Sequence, residues 1–165
     1  MSTQGGEAVR SGQILKQNIE TVFAARGFVI RNYTDVRESH DLLAGKVLVR
    51  RPAYRTLFGR QGRGDFLALF GGRRVWIESV WQEVSGSADF KFAYILKSIE
   101  KDIIPAKEIL IVHGGDGGDG RGIAWMADES RLVIGKRIWV LHFDDFPRWV
   151  RDQMQPRQPE QEMML

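Results

Sequence analysis

Apolar positions along the chain recur first at helical spacing and then at strand spacing. From Gly12 to Arg26, the residues Ile14, Leu15, Ile19, Val22 and Phe23 fall on one face of a helix that Gly27 is placed to stop. Phe28 to Tyr33 reads as a strand, residues 34–45 as a loop or short helix, and Lys46 to Val49 as a second short strand closed by Arg51-Pro52. Two extended apolar runs, Asp65 to Phe70 and Arg74 to Gln82, flank Gly71-Gly72, the signal for a tight hairpin. Ser85-Gly86-Ser87 then breaks the chain ahead of a second amphipathic helix carrying Phe92, Ile95, Leu96, Ile99 and Ile103, which ends near Pro105. A buried strand from Glu108 to His113, a glycine-rich loop from Gly114 to Gly122 and a short helix from Ile123 to Arg131 come next. A strand from Arg137 to Leu141 and a last helix from Phe146 to Met154 follow. Residues 1–11 read as a flexible arm, 12–154 as one domain, and 155–165 as a disordered Pro/Gln/Glu-rich tail. The order of helix, antiparallel strands, helix and strand predicts an α/β (α+β) sandwich, with a mixed central sheet flanked by helices.

Composition narrows the function classes. The 165 residues include no cysteine, which excludes a disulfide scaffold, a Cys-ligated metal site and a Cys nucleophile. No apolar run approaches the ~20 residues needed to span a bilayer, and Met1 to Arg10 lack the apolar core of a secretion signal, so a cytoplasmic protein is expected. A net charge of +3 says little by itself, but its distribution says more. Arg50, Arg51, Arg55, Arg60, Arg63, Arg73 and Arg74 lie in one stretch with a single acid, Asp65, and no lysine. The planar guanidinium fork suits phosphate oxygens, so this run is a candidate nucleic-acid footprint.

The strand from Arg74 to Gln82 carries the candidate chemistry. Alternation puts Trp76, Glu78, Val80 and Gln82 on one face and Val75, Ile77, Ser79 and Trp81 on the other. A glutamate amid such apolar neighbours is costly to bury unless it is paired or holds a cation. Counting outward from Gly71-Gly72, Asp65 falls opposite Glu78. Two carboxylates there make a hard-cation site of the kind Mg²⁺ prefers, or else salt-bridge partners for the nearby arginines. The loop at Gly114 to Gly120 lacks the Lys-Ser/Thr ending of a phosphate-binding loop. His113 and His142 have no partner at metal-ligand spacing, the five tryptophans read as core, and Ser79 and Ser85 have no His–Asp set.

These residues also carry a family resemblance. Arg51-Pro52-Ala53-Tyr54, Gly64-Asp65-Phe66-Leu67, Trp76-Ile77-Glu78-Ser79-Val80-Trp81-Gln82 and Val84-Ser85-Gly86-Ser87-Ala88-Asp89-Phe90-Lys91 resemble the PD-(D/E)XK nuclease superfamily. The nearest part is a small phage and bacterial branch in which a DFL strand precedes an IECKWQ-VSGS-DEK segment. Ile123-Ala124-Trp125 fits the same branch, so the resemblance covers most of residues 12–142, with the specific motif confined to 64–91.

The resemblance implies a restriction-endonuclease-like core and a one- or two-metal phosphodiesterase using Mg²⁺ or Mn²⁺. By position, Asp65 and Glu78 correspond to its metal-binding acids, Glu20 to an additional ligand on the first helix, Gln82 to the glutamine after the motif, and Lys91 to the lysine opening the following helix. The implied partner is duplex or branched DNA in a bacterial or phage-infected cell, bound by a homodimer where both strands are cut. Two positions depart from the pattern: Gly64 stands before Asp65 in place of proline, a minor variation, and Val80 stands where the motif lysine belongs. Loss of a positioned acid–base group lowers a rate by roughly 10²–10⁴. Two functions are therefore expected, a metal-dependent DNA endonuclease or, as the alternative, a catalytically degenerate DNA- or protein-binding module.

Overall fold

A computed structural model describes residues 4–36, 45–83, 86, 88–115 and 119–156. Its elements are α1 (Gln4–Ala24), β1 (Val29–Asn32), α2 (Tyr33–Val36), β2 (Val47–Arg50), β3 (Ala53–Arg55), β4 (Gln61–Arg63), β5 (Phe66–Phe70) and β6 (Arg73–Trp81). These are followed by α3 (Asp89–Glu100), β7 (Glu108–Gly114), α4 (Arg121–Ser130), β8 (Arg137–His142), a 3₁₀ turn (Phe143–Asp145) and α5 (Phe146–Gln153).

The main sheet has six strands in the order β1-β2-β5-β6-β7-β8. Pairing is antiparallel for β2–β5 and β5–β6 and parallel for β1–β2, β6–β7 and β7–β8. The parallel pairs β6–β7 and β7–β8 need long crossovers, which α3 and α4 supply on one face. Strand alternation divides the core into two layers. Leu67, Leu69, Trp76, Val80, Ile109 and Ile111 meet Phe92, Ile95, Leu96 and Ile99 of α3 and Met126 of α4. On the other face Phe66, Ala68, Val75, Ile77, Leu110 and Val112 meet Leu15, Ile19 and Phe23 of α1 and Phe146 and Val150 of α5. This is the mixed sheet between helices that the hydrophobic pattern predicts.

The β5–β6 hairpin turns on Gly71 and Gly72, both with positive φ (53° and 73°), the backbone a two-residue primed turn requires. The pairing Phe70↔Arg73 continues to Phe66↔Ile77, which places Asp65 beside Glu78 just past the last pair.

Two differences from the sequence expectations have local causes. The expected arm over residues 1–11 is helical from Gln4, because extending an existing helix adds one hydrogen bond for each residue fixed. The chain between Pro52 and Gly64, which the hydrophobic pattern leaves unassigned, forms a separate two-stranded sheet, β3–β4, with Ala53 opposite Arg63 and Arg55 opposite Gln61. Its strands are three residues each, Ala-Tyr-Arg and Gln-Gly-Arg, too short and too polar for an apolar period to show. The expected disordered tail lies almost wholly outside the described residues, as do residues 37–44 and the centre of the glycine-rich loop.

The β3–β4 hairpin rejoins the sheet through tight packing at Gly64. The Gly64 amide donates to the Pro52 carbonyl at 2.9 Å, and a Cβ at Gly64 would lie 2.2 Å from Cζ2 of the buried Trp76 indole. Glycine therefore stands before Asp65 because the indole occupies the space of a side chain. Gly64→Ala should lower stability by about 1–3 kcal/mol through overpacking. Gly45→Ala, where a Cβ meets nothing within 4 Å, should change it by less than about 0.5 kcal/mol in the same urea titration. Equal effects at the two positions would contradict this reading of the junction.

Candidate active site

The site is built where β5 enters the sheet and β6 nears its end. Asp65 is clamped from two sides. Its Oδ2 accepts hydrogen bonds from the Ser79 amide at 2.8 Å and the Ser79 hydroxyl at 2.7 Å, and its Oδ1 pairs with the Lys16 ammonium at 2.9 Å. Glu78 is 9% exposed, and its Oε1 accepts from the Trp76 indole at 2.7 Å. Lys91, from the first turns of α3, donates to the Ser79 carbonyl at 2.6 Å. Two carboxylates from adjacent strands thus share one site with ammonium groups from helices on opposite faces of the sheet.

The electrostatics follow from this arrangement. Burial pushes the Glu78 carboxyl up to about 7, and the neighbouring Asp65 charge pushes the same way against the opposing pull of Lys91 and Trp76. Burial also works to raise Asp65, but Lys91, Lys16 and the Ser79 amide outweigh it and hold that carboxyl below its ordinary value. The pair therefore separates into one firmly ionised acid and one acid that resists ionisation.

The sequence-predicted residues do not all converge. Gln82 is 2% exposed, donates its backbone amide to the Gly114 carbonyl at 3.0 Å, and keeps its buried Oε1 without a hydrogen-bond partner. Glu20 is gripped in a bidentate pair by Arg50, at 2.6 and 2.7 Å. Both line a pocket of about 470 Å³ with Lys16, Arg51, Arg63 and Asp65. Arg55 and Arg60 stand out on the β3–β4 hairpin. Arg73 and Arg74 lie at the far end of β6, about 13–16 Å along the strand from Glu78. Arg73 is there engaged by Glu108 at 2.8 and 3.0 Å and by Gln153. The arginine run is contiguous in sequence but splits into three places in space.

Two participants escaped the sequence reading. Lys16 sits on the polar stripe Gln13, Lys16, Gln17 and Glu20 of α1, all lining the pocket at i, i+3, i+4 and i+7 spacing. That stripe was the available signal. Ser79 shares Asp65 through a cross-strand contact that its place on the opposite face of the strand concealed. His113 and His142, unpartnered in sequence, are brought side by side by the β7–β8 register with ring centroids 5.2 Å apart. Burial and the neighbouring ring lower His113 to about 4. Val80 is 1% exposed in the α3-side core.

A family model, that of the PD-(D/E)XK nuclease superfamily domain, matches residues 7–154. The chain belongs to the PD-(D/E)XK nuclease superfamily. No curated protein matches it. Superfamily members are nucleases, act on nucleic acid and generally use divalent metals. The donors here fit such an ion. Asp65 and Glu78 could supply hard oxygen ligands, and their mutual repulsion is what a cation would relieve. Among the described residues no cluster of three His, Cys, Asp or Glu side chains is preassembled, so backbone oxygen and water would complete the shell. No described helix is long and apolar enough to cross a membrane.

Glu78 makes stability depend on pH. Its folded value of about 7 lies above the ordinary 4.5, so its contribution is full below about pH 4.5 and is lost as pH rises through 7. In EDTA, Glu78→Gln should flatten that decline and exceed the parent at pH 8 by roughly 3 kcal/mol in urea unfolding. Parallel pH–stability curves for the two proteins would contradict the assignment.

Proposed function

We propose that this protein is a metal-dependent deoxyribonuclease that hydrolyses phosphodiester bonds at Asp65 and Glu78. The observation that carries the reading is the pair of buried carboxylates, held on adjacent strands and flanked by Lys91 and Lys16. A Mg²⁺ or Mn²⁺ ion held by Asp65 and Glu78 would supply Lewis-acid stabilisation of the phosphoryl oxygens and a more acidic attacking water.

The chain's own side chains do the rest. The Lys91 ammonium, anchored on the Ser79 carbonyl, presents its remaining protons toward the carboxylates, where it orients a water and offsets the negative charge that builds on the phosphoryl group. In this reading it takes over from α3 the role of the motif lysine that Val80 replaces on β6. Lys16 and Ser79 keep Asp65 ionised and aimed. Arg50, Arg51 and Arg63, in the pocket beside Asp65, contact the flanking phosphates. Glu20 holds Arg50 in place and is one turn of α1 from Lys16, where it can share in cation binding. Hydrolysis forms a P–O bond from water and breaks the one to the leaving nucleoside oxygen, which takes up a proton from solvent.

One observation favours the second reading, a binding module without turnover: Val80 packs into apolar core where the motif lysine would stand. Cleavage decides between them. Supercoiled plasmid should be nicked with Mg²⁺ or Mn²⁺ and left intact in EDTA. Asp65→Ala and Glu78→Ala should each abolish nicking, and Lys91→Met should slow it by about 10²–10⁴ while the protein stays folded by circular dichroism. Salt-sensitive DNA binding without any nicking would instead establish the module.

A further inference from the structure

The β3–β4 hairpin carries an exposed aromatic that nothing in the cleavage site explains. Phe58, at its tip, is 80% exposed, and Phe90, at the start of α3, is 89% exposed. Large apolar rings are seldom left so open. The Phe58 ring is nonetheless fixed. It stacks on Tyr94 of α3 at 6.5 Å and 29°. The tip beneath it is closed by hydrogen bonds from the Thr56 amide to the Arg60 carbonyl (2.8 Å), from the Gly59 amide to the Thr56 carbonyl (2.9 Å) and from the Arg60 amide to the Thr56 hydroxyl (3.2 Å).

This ring is wired to the carboxylates. The Trp76 indole donates a hydrogen bond to the Glu78 carboxylate, Trp76 and Tyr54 meet edge to face at 5.5 Å, Tyr54 is hydrogen-bonded to Tyr94, and Tyr94 stacks on Phe58. Phe90 precedes Tyr94 by one helical turn and so lies on the same side of α3, next to Lys91. Arg55 and Arg60 flank the tip, both exposed and with no acidic partner among the described residues. Of these rings Phe58 and Phe90 present open faces, and the exposed Arg55 and Arg60 beside Phe58 put cations next to an aromatic face, the pairing that a base and its flanking phosphates require.

We propose that Phe58, backed by Tyr94, is a stacking subsite for an unpaired base, and that the protein therefore engages single-stranded or overhanging nucleic acid in preference to continuous duplex. The inference deepens the nuclease reading and rests on it. Bases within a duplex are already stacked on both faces, so only an unpaired base can cover the ring. Every base has a π-face, so the subsite is tolerant of sequence. Arg55 and Arg60 would hold the phosphates on either side and make binding salt-dependent.

The test measures fluorescence anisotropy of labelled oligonucleotides in EDTA, which prevents cleavage, with a single-stranded 20-mer and a blunt two-strand duplex of the same length. The parent should bind the single strand more tightly. Phe58→Ala should weaken single-strand binding about tenfold or more and leave duplex binding unchanged, while Phe58→Trp should preserve both. The double variant Arg55→Gln with Arg60→Gln should weaken both ligands and flatten the salt response. If the parent binds nucleic acid but Phe58→Ala is neutral, or weakens both ligands equally, the stacking subsite is overturned and the nuclease reading stands. If the parent binds neither ligand between 50 and 200 mM salt, roughly the range over which phosphate contacts are felt, both fall together.

Discussion

Repulsion between two carboxylates shapes this end of the molecule. Asp65 and Glu78 come together because the Gly71-Gly72 turn sets the register of β5 against β6. Within the hairpin only neutral donors meet the pair, Ser79 at Asp65 and Trp76 at Glu78. Relief comes from outside, through Lys16 on α1 and Lys91 on α3. The helices on both faces of the sheet are thereby tied to one electrostatic centre, and their packing cannot be altered without disturbing it. The balance is uneven: Asp65 receives two hydrogen bonds from Ser79 and stays ionised, whereas Glu78 has the Trp76 indole and a deeper position.

Much of this architecture could be read from the chain because burial on both faces forces simple periods. The alternation in Arg74 to Gln82, the glycine pair and the helical spacing of Phe92, Ile95, Leu96 and Ile99 each reflect a surface that must face a core. The approach of Asp65 to Glu78 followed from counting across a two-residue turn. What stayed hidden was set by contacts distant in sequence. Lys16 lies 49 positions before its partner Asp65 on a helix whose apolar face dominates the pattern. The β3–β4 hairpin, held by Tyr54 on Trp76 and by Gly64 against the same indole, has too few apolar residues to show a period. The arginine run looked like one patch, yet the β5–β6 hairpin doubles back within it and sends Arg73 to Glu108 at the opposite end.

In the proposed nuclease, Lys91 stands in for the lysine that Val80 replaces. Position 80 faces the α3-side core, where Ala88, Phe92 and Val80 leave no polar partner for an ammonium group. Lys91 reaches the same carboxylates from above, with its nitrogen on the Ser79 carbonyl. On that proposal, a lysine delivered by a helix rather than by the strand would leave the strand free to pack hydrophobically while keeping a positive charge at the acid pair.

The account depends on Asp65 and Glu78 acting jointly as a cation site, and calorimetric titration of Mn²⁺ tests that most directly. Titrations at pH 6 and pH 8 in buffers of different ionisation enthalpy would report both affinity and protons released. Because Glu78 ionises only near pH 7 without a cation, the account predicts tighter binding at pH 8 and release of most of one proton at pH 6, both lost in Glu78→Gln. Binding of equal strength at the two pH values, or binding that survives Glu78→Gln unchanged, would contradict it.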